Sequence, residues 1–329
     1  MTLMKRILSL LLVLAQLALL CACAAEPVQE LPTLPETPPA APAPQTGASA
    51  SAPTGEEAEE TQPAPIPDGI YAQDGKAYYY QDGAPLTDAG LAAVDGGHVY
   101  VQADGSLFPF AAGVNRCGEQ LYYHTGESAY LLASPEAGLY EDADALYLVQ
   151  DDLSLLAGGS EGYLTFGADG RYTGGSEALD EGVASLLAAC GAEWQLPAGE
   201  RLRLCYDYIR DNYTYISMEH YAAGTTDWAQ EAAEAFLRQG KGNCYCFAAL
   251  FMYCARRLGY QAYVVAGHES RADNDHAWTM IDEADGTYLY DVQLEYAYLY
   301  IYNKGAIDVF RAAESDGLYN GFAYFFPET

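Results

Sequence analysis

Gly240-Lys241-Gly242-Asn243-Cys244-Tyr245-Cys246-Phe247-Ala248-Ala249-Leu250 is the stretch on which the reading of this chain turns. Glycines and an asparagine close one segment, and an apolar run opens at the cysteine. Phe247, Leu250, Phe251, Cys254 and Leu258 then recur at helical spacing on one face, and Gly259 supplies a stop. The pattern predicts a helix over 244–258 whose first residue is a cysteine. A cysteine in the first helical turn sits at the positive end of the macrodipole, which favours thiolate over thiol. Thiolate is the nucleophilic form. Gly240 and Gly242 are read as letting a substrate approach the backbone just before the helix.

Helical spacing also marks 178–190 and 198–212, where Leu202, Cys205, Tyr208 and Ile209 form an apolar stripe, and 227–239, with Asp227 as N-cap. After the cysteine helix comes a short apolar strand, Ala262-Tyr263-Val264-Val265, and then a hairpin. In it His276-Ala277-Trp278 opens one strand, and Tyr288 to Gln293 returns across Glu283-Ala284-Asp285-Gly286. Across that four-residue loop, Trp278 faces Asp291 and His276 faces Gln293. His276 and Asp291 then become diagonal neighbours on one sheet face. A two-residue Asp-Gly turn, the stronger local signal, would instead pair Asp291 with Met280, too far from His276. Helices followed by strands make this half α+β.

Gly-Asn-Cys at a helix start, then His-Ala-Trp, then Asp, resembles the transglutaminase-like superfamily, relatives of papain-type cysteine proteases. The likeness covers about 195–295, and Val292 departs from it where many members carry Pro. It implies an α+β core with a helix-borne cysteine and an antiparallel sheet holding His and Asp. It further implies that Cys244 is the nucleophile, His276 its base, and Asp291 the group that orients and charge-stabilises the imidazole. The backbone N–H of Cys244 is one oxyanion donor. Trp228 is the candidate second donor or else a core aromatic, and Trp278 either walls the cleft or simply packs. His268 is a competing base read as a surface residue. Cys244, Cys246 and His276 are not read as a zinc site, because residues two apart on a helix point to different faces. No metal and no cofactor is expected.

Between about 67 and 175 a short aromatic run meets a glycine turn repeatedly: Tyr78 to Gly83, Tyr100 to Gly105, Tyr122 to Gly126 and Tyr163 to Gly170. Strand, turn, strand at a period near twenty predicts a stack of hairpins. These units resemble the cell-wall-binding (choline-binding-like) repeats of Gram-positive surface proteins, which implies a cell-wall polymer as partner. All three tryptophans, Trp194, Trp228 and Trp278, lie outside the repeats, so a choline cage would have to rest on tyrosine. A spacer role is the alternative.

Lys5 and Arg6 precede an apolar run from Ile7 to Leu20, too short for a comfortable span and in keeping with a signal peptide over 1–23. Leu20-Cys21-Ala22-Cys23 resembles the lipobox of bacterial lipoproteins, which implies lipid on Cys23 and a membrane anchor through it; cleavage at Ala22 or Ala25 is the alternative. Residues 24–66 are rich in Pro, Ala, Glu, Ser and Thr and read as a disordered linker. The hairpin repeats occupy 67–175 and the catalytic domain 176–329. A net charge of −31 speaks against nucleic acid. Cys117, Cys190, Cys205, Cys246 and Cys254 show no framework spacing and read as buried thiols, with pairing left open. The expected protein is a cell-surface enzyme, anchored to the outer face of the cytoplasmic membrane, that uses a cysteine for acyl transfer on peptide or protein substrates. Hydrolysis of peptide or side-chain amide bonds is preferred over amine transfer; a protein cross-linker or a non-catalytic wall-binding protein are the alternatives.

Overall fold

The computed structural model describes residues 66–221, 227–269, 274–313, 315–316 and 322–327. The signal segment, Cys23 and nearly all of the linker lie outside the described residues. Two compact units are present: one holds the described residues up to Pro109 with Tyr130–Leu132, the other Phe110–Ala129 with the described residues from Ala133 onward.

Each unit begins with hairpins. The first has β1 (Gly69–Gln73) with β2 (Lys76–Gln81), the short β3 (Ala84–Pro85), and β4 (Gly90–Val94) with β5 (Gly97–Val101). Gln73 pairs with Lys76 across Asp74-Gly75, both at positive φ, the backbone that two-residue hairpin turns require. This main turn lies upstream of the aromatic run; Asp82-Gly83, which the sequence pattern marks, leads only into β3. Inward residues Ala77, Tyr79, Val99, Val101 and Leu107 form this unit's core.

The second unit opens with β6 (Gly113–Cys117) and β7 (Gln120–His124), β8 (Gly138–Glu141) and β9 (Leu146–Val149), then β10 (Gly159–Glu161), β11 (Leu164–Phe166) and β12 (Tyr172–Thr173). Helices α1 (Glu177–Ala189) and α2 (Ala198–Asn212) follow. Ser176 caps α1 by accepting from Leu179 N–H at 3.2 Å. Arg201 on α2 is buried and donates two hydrogen bonds to the Glu141 carboxylate at 2.5 and 2.8 Å, while Arg257 reaches the same carboxylate at 2.9 Å. Tyr163 N–H donates to Gln261 Oε1 at 2.7 Å. These bonds fasten the hairpins β8 to β11 to the helical part.

After β13 (Thr214–Tyr215) come α3 (Trp228–Gln239), β14 (Lys241–Gly242) and α4 (Cys244–Arg257). Asp227 precedes α3 as predicted, but its backbone is left-handed and its side chain caps nothing. In place of one apolar face, α4 is buried on every side from Cys244 to Ala255, the pattern of a helix at the centre of a core. The sheet that packs on it has the order β17-β16-β15-β18 and is antiparallel throughout: β15 (Gln261–Glu269), β16 (Asn274–Glu283), β17 (Gly286–Tyr290) and β18 (Phe322–Pro327). Thr279 pairs with Tyr290 and Glu283 with Gly286. That is the register expected from His276 and Asp291, although the loop shrinks to Ala284-Asp285. β17 ends sooner than predicted: Asp291 leaves the ladder and Gln293 lies in α5 (Val292–Tyr296). The molecule is α+β, with hairpin repeats ahead of a helix-and-sheet core.

Candidate active site

Cys244 is placed by the backbone on both sides of it. Gly240 ends α3 in the left-handed region at φ 67°, and its N–H donates to Phe236 O at 2.8 Å. Gly242 has another role: a Cβ there would lie 2.6 Å from Cys246 Cβ and Sγ. The space read as room for substrate is filled by the Cys246 side chain. Asn243 is extended and opens α4, its carbonyl accepting from Cys246 and Phe247 N–H at 3.1 and 3.2 Å. The Cys244 N–H, the first of the helix, has no acceptor a turn earlier within the helix.

β16 and β17 deliver the other two residues. Thr279 is fully buried, and its hydroxyl donates to Ala248 O on α4 at 2.9 Å, pinning β16 one helical turn from Cys244. Three residues earlier on β16, His276 is buried and stacked near Trp278 at 6.1 Å. Its Nε2 lies 2.6 Å from Asp291 Oδ2. Asp291 is held twice more: Oδ1 accepts from Leu294 N–H at 2.9 Å, capping α5, and its carbonyl accepts from the Tyr206 hydroxyl at 2.8 Å. With Nε2 turned to the carboxylate, Nδ1 is the nitrogen left for the Cys244 sulfur, whose negative charge favours the protonated ring. The structure thus brings Cys244, His276 and Asp291 together.

Burial alone would push the Cys244 thiol up. Hydrogen bonds and charge from His220 and His276 outweigh it and lower the thiol from its ordinary 9.0 to about 6. His276 is raised well above its ordinary value: burial opposes the charge, but the Asp291 carboxylate and the sulfur favour it more. Cys246, by contrast, is raised by burial, and Cys117 is pushed up to about 12. An imidazolium–thiolate pair at neutral pH is the form a nucleophilic cysteine needs.

His220 is the residue that sequence reasoning missed. No motif surrounds it; a parallel bridge places it. Thr214–Tyr215 pairs with Lys241–Gly242, and Ile216 N–H donates to Gly242 O at 2.8 Å, so the chain after β13 runs past the start of α4. His220 there packs on the Tyr245 ring at 5.3 Å, next to Cys244, whose charge favours its protonated form. His268 is placed elsewhere, with Nδ1 3.7 Å from Asp275 Oδ1. Trp228 is buried against Tyr221 and Tyr245, with ring centroids at 5.4 and 4.8 Å. Trp278 is fully buried in the cluster with Val265, Met280 and Leu289.

Residues 187–289 match the transglutaminase-like superfamily. The match takes in Cys244, His276 and Trp278 and ends just before Asp291. Match and geometry together indicate a cysteine-based enzyme domain of this superfamily. No curated protein matches the chain. Among solved structures, a Cytophaga hutchinsonii protein assigned to the cysteine proteases is 15% identical, with TM-score 0.30, over 44% of this chain and 42% of that one. A protein described as a TGase is 19% identical, with TM-score 0.27, over 35% and 32%. CbpJ from Streptococcus pneumoniae TIGR4 is 16% identical, with TM-score 0.24, over 32% and 34%. The chain spans less than half the length of each.

Proposed function

We propose that the transglutaminase-like domain is a cysteine-nucleophile acyl-transfer enzyme acting on peptide or side-chain amide bonds, with water as the preferred acceptor. The observation that carries this reading is the Cys244 sulfur beside a ring whose far nitrogen lies 2.6 Å from a buried carboxylate. The Cys244 thiolate attacks the carbonyl carbon, and the leaving nitrogen takes a proton from His276. The resulting thioester is cleared by water, which gives a proton back to His276, while Asp291 holds the ring and its charge. We place the enzyme at the cell surface, tethered by lipid on Cys23 and held near the wall by its repeats.

Burial of the nucleophile favours a second reading. Cys244 is only 2% exposed, and a thioester shielded from water can await an amine. The test offers a glutamine-containing peptide with a fluorescent primary amine, beside a peptide library in plain buffer, to wild type and to Cys244→Ala. Cleavage or deamidation that depends on Cys244 and outpaces amine incorporation supports the hydrolase. The opposite order supports the cross-linker, and a chain inert in both assays supports a binding protein.

A further inference from the structure

Two imidazoles, not one, act on the Cys244 sulfur, and they come from different parts of the fold. His276 stands on β16 with its second nitrogen committed to Asp291. His220 lies in the segment after β13, against Tyr245, the second residue of α4. That segment is tied to the start of α4 by Ile216 N–H to Gly242 O at 2.8 Å, and more loosely by Asn243 Nδ2 to Glu219 O at 3.4 Å. Asn243 and Glu219 are the immediate chain neighbours of the two reacting residues. Among the described residues no carboxylate orients His220 as Asp291 orients His276; Asp275 acts on it through charge. A base in this chemistry must accept and return a proton in a fixed tautomer. An electrostatic donor must only present an N–H to the place where negative charge develops.

Resting on the acyl-transfer reading, we propose that His220 is a further catalytic residue, the side-chain donor that stabilises first the Cys244 thiolate and then the oxyanion of the tetrahedral intermediate. As the sulfur lone pair forms the C–S bond, the carbonyl π pair moves onto oxygen. The charge passes from sulfur to an atom bonded to the same carbon, within reach of a ring held beside Cys244 by its packing on Tyr245 and by the Asn243–Glu219 bond. His220 donates to that oxygen beside the Cys244 N–H and keeps its proton throughout. On collapse the pair returns to carbon, the C–N bond breaks, and the leaving nitrogen takes its proton from His276. In this assignment His220 takes the place for which Trp228 was one candidate, and the Trp228 ring is packed between Tyr221 and Tyr245. His220 is itself raised above its ordinary value, chiefly by the hydrogen bond to Cys244 and against burial, which suits a lasting donor. Among the described residues, the other titratable groups that interact with Cys244 are His276, Tyr215, Tyr245 and Cys246.

The experiment compares two reactions of the same sulfur in the full chain. Iodoacetamide alkylates it by displacement and forms no oxyanion; p-nitrophenyl acetate acylates it through one. For His220→Ala, acylation should fall about 100-fold more than alkylation, the cost of removing one oxyanion donor. The pH midpoint of alkylation should also rise. His220→Gln keeps an N–H and should recover part of the acylation rate; the same comparison in Trp228→Phe should match wild type. A ratio of acylation to alkylation unchanged in His220→Ala overturns the His220 assignment alone, provided nitrophenolate release depends on Cys244. Release from wild type that survives Cys244→Ala overturns the acyl-transfer reading, and this assignment with it.

Discussion

Replacing Asp291 by Asn removes the charge from the buried pair while keeping nearly all of its shape. Asn Oδ1 can go on accepting from Leu294 N–H, now 2.9 Å from the carboxylate, so α5 keeps its cap. The amide nitrogen then takes the place of Oδ2, 2.6 Å from His276 Nε2. Two donors cannot face each other, so Nε2 gives up its proton and the ring carries it on Nδ1, toward the sulfur. A ring protonated there and deprived of its counter-charge cannot take the cysteine proton. In the serine-protease triad the same exchange costs about 10⁴ in turnover. Some of that loss is spared here, because His220 also lowers the thiol, and kcat/KM should fall roughly 10²- to 10⁴-fold, or about 3–5 kcal/mol of barrier. Stability should change by no more than about 1 kcal/mol. Asp291→Ala differs: it loses the cap, about 1 kcal/mol, and strands a buried imidazole, about 1–3 kcal/mol. It should be both inactive and destabilised by about 2–4 kcal/mol. Hydrolysis rates read with urea unfolding of both variants decide the matter. An Asp291→Asn enzyme as stable as wild type and within tenfold of its rate refutes the role given to Asp291.

Other expectations are smaller in scope. Because Cys244 is lowered from 9.0 to about 6, its alkylation should rise through pH 6 and level off near neutrality, not climb toward pH 9. The sign for stability follows: the thiolate's contribution is present at high pH and lost as pH falls through about 6, so Cys244→Ser should flatten that part of a stability–pH curve. Glu141→Ala should cost more than Arg201→Ala, about 3–5 kcal/mol, by chemical denaturation. The first leaves buried Arg201 without its carboxylate, whereas the second leaves Glu141 still paired with Arg257. Gly242→Ala forces a Cβ to 2.6 Å from Cys246, and should lower stability by about 1–3 kcal/mol while blunting Cys244 labelling at neutral pH.

Helix positions were legible because apolar spacing is local: α2 runs from Ala198 to Asn212 as its stripe predicts. The His276–Asp291 register was legible for a chemical reason, since only one pairing puts the two side chains within reach, and it prevailed over the Asp-Gly turn signal. What the sequence hid was non-local. Burial of α4 on every side depends on elements packed around it, so its pattern read as a single stripe. Gly242 read as an opening for substrate because nothing local announces Cys246 folding back over it. His220 comes to the sulfur through a two-residue parallel bridge between segments 27 residues apart, Thr214 with Lys241. No periodicity or motif encodes such a contact. The repeats showed their turns but not their phase, because Asp74-Gly75 and Asp82-Gly83 carry the same turn chemistry and only pairing tells them apart.

The claim on which the rest depends is that the Cys244 sulfur forms a covalent acyl adduct. Intact-mass spectrometry of the full chain, quenched in acid after brief exposure to p-nitrophenyl acetate at neutral pH, tests it directly. One acetyl group should appear, mapped by peptide digestion to Cys244, released by hydroxylamine, absent in Cys244→Ala and strongly slowed in His276→Ala. An unmodified chain, or an adduct on Cys246 or another thiol while Cys244 stays free, would contradict the account.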